Sequence, residues 1–149
     1  VYYASLGESK YFTDEEFSKN IMDFDKQILK AIKEHGGYNI LHICKDDIDL
    51  NRYKSFDELI DVINWGVYEG GVSLEEGRKT FPETTIMGGL RNRSGVLIDG
   101  DYEELKAEIK SIINDIGKEK FILGADCTLP SDISYERLRL VIEALEEVR

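Results

Sequence analysis

Basic residues are in short supply. The chain sets 19 Lys and Arg against 30 Asp and Glu, leaving a formal charge of −11. So few cations suit neither phosphate backbones nor anionic membrane surfaces, so nucleic acid and membrane are not expected partners. Long apolar runs are missing too. No stretch approaches the roughly 18 residues of a spanning helix, and no basic leader precedes an apolar segment, which reads as a cytoplasmic protein. Neither G-x-G-x-x-G nor G-x-x-x-x-G-K-[ST] occurs, so nucleotide binding has no motif behind it. With two cysteines no disulfide framework can be built; the pair reads as a thiolate site, as two inert core thiols or as a single bridge. A starting methionine is absent as well. The chain opens on the apolar run Val1-Tyr2-Tyr3-Ala4, which looks like a cut inside a longer protein.

What remains is an ordinary globular composition, 42% hydrophobic and 33% charged over 149 residues, enough for one core. Short apolar runs alternate with helical patterns, the mark of β/α units and a parallel sheet. Strands are expected near 1–5, 39–44, 61–66, 84–88 and 121–127. Helix starts are expected at Thr13, Ser55 and Ser73, each followed three residues later by Glu in a capping-box pattern, and at Asp101 with Glu104. The first helix should bury Phe17, Ile21, Phe24, Ile28 and Ile32 and end at Gly36-Gly37. Leu105, Ile109, Ile112 and Ile116, and then Leu138, Val141, Ile142, Leu145 and Val148, form two more stripes. Five such units fit either an open doubly wound domain of flavodoxin size or roughly half of an eight-stranded barrel, and periodicity does not separate the two.

The chemistry concentrates at strand ends. His42 and Cys44 are two apart, so on a strand they project from one face, and Cys127 closes a later apolar run. In a parallel sheet all three lie at the carboxyl edge, where α/β proteins bind ligands. One imidazole and two thiols meet the ligand count of a catalytic zinc with an open position. The alternative is two buried thiols and a hydrogen-bonded core histidine. Asp46, Asp47, Asp49 and Asp126 fall near the same edge, and Asp126 is the candidate general acid or base, or an outer partner of His42. Arg91 and Arg93 follow Gly88-Gly89 and could grip a carboxylate or phosphate. His35, in the last turn of the first helix, reads as structural.

Four blocks in order, Ile40-Leu41-His42-Ile43-Cys44, Val62-Ile63-Asn64-Trp65, Met87-Gly88-Gly89-Leu90 and Phe121 through Pro130, resemble the carboxyl-terminal half of the uroporphyrinogen decarboxylase superfamily. The resemblance implies a (β/α)₈ barrel of which residues 1–149 form a single partial domain, the final five β/α units without the amino-terminal half. A half barrel leaves open edges, so self-association of the chain is expected. The decarboxylases use no metal, and Asp126 stands where their later active-site histidine is expected. The motif H-x-C followed by a distant Cys is that of the zinc-dependent branch, which includes methylcobamide:coenzyme M methyltransferases. What this likeness implies is zinc on His42, Cys44 and Cys127, activating a thiol to accept a methyl group from a corrinoid protein. Asn64, Trp65 and Arg91 are the candidate substrate-binding residues. That branch often adds a Glu ligand on the next strand. Here that region reads Val62-Ile63-Asn64-Trp65-Gly66, so water, Asn64 or Glu69 would complete the site. Uroporphyrinogen decarboxylase itself, acting on a tetrapyrrole, and a non-catalytic flavodoxin-sized binding domain are the other readings.

Overall fold

In the computed structural model, which describes residues 1–7 and 9–148, five strands form one sheet. They are β1 (Tyr2–Leu6), β2 (Ile40–Cys44), β3 (Val62–Trp65), β4 (Thr85–Leu90) and β5 (Phe121–Ala125). All neighbouring pairs are parallel, and the spatial order is the chain order. A doubly wound sheet reverses direction from its first strand, whereas a barrel adds each strand beside the last. The order therefore settles the architectural tie in favour of a barrel segment with free edges at β1 and β5.

Alternation along each strand divides the sheet. Leu41, Ile43, Ile63, Trp65 and Ile86 are fully buried against helices on one face. The other face would line a barrel's interior. In register across it run Ala4, His42, Asn64, Met87 and Ile122. Tyr2 and Leu6 on the same face are about half exposed. A second cluster joins β4 to the two later helices through Leu90, Leu105, Ile109 and Ala144.

The first helical segment begins at Thr13, whose capping box is formed, and runs through α1 (Asp14–Phe17), a π-helical turn (Ser18–Met22) and α2 (Asp23–Glu34). The π turn alters the expected stripe. A wider turn adds a residue to the repeat, so the buried positions after Phe17 become Asp25 and Leu29, while Phe24 and Ile28 turn outward to 60% and 44% exposure. Gly36, with φ of 76°, ends the helix as expected.

The start expected at Ser55 is not a helix start. Residues Leu50–Leu59 form a 3₁₀ helix capped by Asp49, and Ser55 lies within it. Its buried residues Leu50, Tyr53 and Phe56 repeat every three, the period of that helix. The remaining helices are α3 (Val67–Gly70), α4 (Leu74–Thr80), α5 (Tyr102–Ile116) and α6 (Tyr135–Val148). Capping boxes at Ser73 and Asp101 open α4 and α5. In α6 Ala144 is the buried position, and Val141, Leu145 and Val148 of the expected stripe pack partly buried against the same cluster, while Ile142 is 57% exposed. No helix of the described residues is long and apolar enough to cross a membrane.

Candidate metal centre

His42 and Cys44 leave β2 on the face away from the helices, and Cys127 lies just past the end of β5. The fold brings them together. One ligand atom from each lies within 4.8 Å of the others, and no further His, Cys, Asp or Glu of the described residues joins the group. His42 Nε2 is 3.4 Å from Cys127 Sγ. Both cysteines are free thiols and half-buried. Burial, then the neighbouring Cys127 thiol, pushes the Cys44 thiol up, with Lys45 opposing. Lys45 itself takes a left-handed φ of 81°, turning the chain sharply after Cys44. Burial lowers His42 below its ordinary value, offset in part by its bond to Asn64 and the Glu69 charge. A neutral imidazole beside two thiols is a donor set suited to a borderline-soft cation such as zinc.

Behind His42 stands Asn64, 1% exposed. Its Oδ1 is 2.5 Å from His42 Nδ1 and accepts from the Tyr2 hydroxyl at 3.2 Å. Its Nδ2 donates to the Met87 carbonyl at 2.8 Å and to that of Ala125 at 3.4 Å. Tyr2 also stacks on the imidazole, with centroids 5.6 Å apart and planes at 22°. Burial and the two nearby thiols push the Tyr2 phenol up to about 12. Sequence reasoning passed over Tyr2, although β1 places Tyr2, Ala4 and Leu6 on the His42 face by alternation alone.

Asp126 is 2% exposed and faces backbone rather than His42, Cys44 and Cys127. Its Oδ1 accepts from Gly89 N–H at 3.0 Å and its Oδ2 from Tyr68 N–H at 3.3 Å. Burial pushes its carboxyl up to about 6 despite those bonds. Gly88 takes a φ of 151°, a backbone conformation that residues with side chains rarely adopt, although a Cβ there would meet Asp126 Oδ1 at 3.4 Å and Asn64 Nδ2 at 3.5 Å in ordinary contact. Arg91, one residue beyond the Leu90–Ala125 register pair, stands at the rim with its guanidinium 3.8 Å from the Tyr68 ring centroid.

Trp65 does not belong to the site. It is fully buried on the helix-facing side, donating from Nε1 to the Val72 carbonyl, because it is one residue from Asn64 and strand alternation sends it the other way. The acidic residues after β2 disperse as well: Asp49 caps the 3₁₀ helix, Asp46 lies 3.9 Å from Lys10, and the Asp47 carbonyl accepts from Ser9. His35 closes its own helix through Nδ1 to the Ala31 carbonyl.

The family model for uroporphyrinogen decarboxylase (URO-D) matches residues 7–148. The chain belongs to the uroporphyrinogen decarboxylase family. No curated protein matches it. Among solved structures it is similar to a B12-independent methionine synthase from Shewanella sp. W3-18-1 in complex with selenomethionine. The TM-score is 0.57 at 15% identity, over 99% of this chain and 46% of that one. That likeness shows the fold: the five-stranded segment of this URO-D family member is part of a barrel, and the chain spans about half the length of the enzyme it matches.

Proposed function

We propose that this URO-D family chain is the metal-bearing part of a zinc-dependent methyltransferase that passes a methyl group to a thiol substrate, with a methylated corrinoid protein as donor. The observation that carries the reading is the meeting of His42, Cys44 and Cys127 within 4.8 Å at the carboxyl edge of the sheet. Zinc, held by these three residues, would lower the pKa of a substrate thiol and so supply the nucleophile. The chain's own groups do the rest. With zinc bound, the two cysteines would serve as thiolates, their protons passing to solvent; Tyr2 covers one face of the imidazole, and Asp126 ties the Cys127 segment to β4 and α3. Arg91, paired with no carboxylate among the described residues and stacked on Tyr68 at the rim, is placed to receive a negatively charged end of the substrate.

The test is methyl transfer itself. Zinc-loaded protein mixed with methylcobalamin and mercaptoethanol should demethylate the corrinoid, and Cys127→Ala should abolish this. Equal rates in wild type and variant would reject the reading. The fold neighbour is described as B12-independent, so transfer from a non-corrinoid methyl donor alone would keep the thiol acceptor and replace the corrinoid. A second reading rests on the family match over residues 7–148: decarboxylation of uroporphyrinogen, for which loss of carboxyl groups from that substrate without added metal is the test.

A further inference from the structure

The Asn64 carboxamide touches all five strands. From β3 it accepts from Tyr2 on β1, meets His42 on β2 through Oδ1, and donates to the carbonyls of Met87 on β4 and Ala125 on β5. An amide has two donor hydrogens and two acceptor lone pairs, and here all four positions are taken. Its orientation is not free. Turned over, its oxygen would face two backbone carbonyl oxygens, one at 2.8 Å, with no hydrogen between them. Oδ1 therefore points at His42, and the imidazole nitrogen 2.5 Å away must carry a hydrogen.

We infer that Asn64 is a positioning residue, not a ligand: it holds the neutral His42 with its proton on Nδ1, so that the Nε2 lone pair faces Cys127. The second half of this inference, that the exposed lone pair serves a metal, rests on the zinc reading above; the first half does not. Ligating histidines commonly have their other nitrogen fixed in this way, by a carboxylate or a carbonyl. Aspartate at position 64 would keep the acceptor for His42 but would set a carboxylate oxygen against the carbonyls of β4 and β5. Leucine would keep neither. The carboxamide is neutral, so the donor set remains one nitrogen and two sulfurs, and a thiol could join it without displacing a fourth protein ligand.

The test begins with metal-free protein. The chain has two histidines, so in a His35→Gln background histidine-selective ¹⁵N labelling reports His42 alone. Above its pKa, His42 should show a pyrrole-type Nδ1 and a pyridine-type Nε2. Asn64→Asp should retain that pattern, and Asn64→Leu should lose it. A pyridine-type Nδ1 in the otherwise wild-type protein overturns the inference without any variant having to fold, as does a pattern that Asn64→Leu leaves unchanged. Chelator competition then measures zinc: Asn64→Leu should weaken binding about tenfold to a hundredfold, and unaltered affinity would remove the positioning role. Protein with the expected tautomer that binds no zinc would refute the metal reading and leave the role of Asn64 standing.

Discussion

Replacing Gly77 with Ala should destabilise the protein, although Ala is the better helix former. Gly77 is buried in the middle of α4 (Leu74–Thr80), directly over the indole of Trp65. A Cβ there would lie 2.0 Å from Cη2 and 2.3 Å from Cζ2, far inside contact distance. The indole has nowhere to go: Trp65 is fully buried, and its Nε1 is tied to the Val72 carbonyl at 2.8 Å. Overpacking of this kind costs about 1–3 kcal/mol, and so short an approach belongs at the upper end of that range. Ala returns up to about 1 kcal/mol of helix propensity. The net loss is therefore about 2 kcal/mol, read as a lowered urea midpoint. Trp65 is the only tryptophan, so its emission should shift in the folded variant. Truncating the indole should relieve the clash, so Trp65→Phe and Gly77→Ala should couple favourably in a double-mutant cycle followed by circular dichroism. A Gly77→Ala protein as stable as wild type, with unchanged emission, would refute the packing described for β3.

Zinc uptake should release protons, from Cys44, whose pKa is raised by burial and Cys127, more than from His42, whose pKa is lowered. Affinity should then rise with pH, and calorimetry in buffers of different ionisation enthalpy that found no proton release would contradict this. For Asp61, burial works upward but is outweighed by Lys33 Nζ at 2.6 Å and Asn39 N–H at 2.8 Å, which hold its pKa below the ordinary value. Its stabilisation is present above the unfolded carboxylate range, near pH 4, and is lost as pH falls through the lowered value. Asp61→Asn should therefore be less stable than wild type at pH 7, with the difference narrowing on acidification; a constant difference would count against it. The 149-residue chain should self-associate, because β1 and β5 are edge strands and Tyr2, Leu6 and Ile122 stand exposed on the open face. A clean monomer by gel filtration with little dye-accessible apolar surface would contradict that.

Much of this architecture was legible from local pattern. Strands sit within a residue or two of the apolar runs, and three capping boxes open helices at Thr13, Ser73 and Asp101 as their spacing implies. The failures have local causes. A π turn over Ser18–Met22 moved the first stripe by one position, putting Asp25 inward, where it accepts from Tyr3 and Ser5, and Phe24 outward. The three-residue repeat of Leu50, Tyr53 and Phe56 signalled a 3₁₀ helix, which the Ser55 pattern concealed. At the site, H-x-C and a distant Cys named the three residues that meet. Periodicity could not reveal the shell around them, because Tyr2, Asn64, Met87 and Ala125 become neighbours only through the register of five strands. Trp65 was misplaced by proximity to Asn64 in sequence, which in a strand means the opposite face.

Whether His42, Cys44 and Cys127 hold a metal ion is read most directly from metal content. Zinc should be measured by elemental analysis after dialysis against a competing chelator, in wild type, in His42→Ala, Cys44→Ala and Cys127→Ala, and in His35→Ala as a control. About one zinc per chain in wild type and in the control, with loss from each of the three ligand variants, is the expected result. Zinc-free wild-type protein, or variants at His42, Cys44 or Cys127 that retain the wild-type content, would show that these residues hold no zinc.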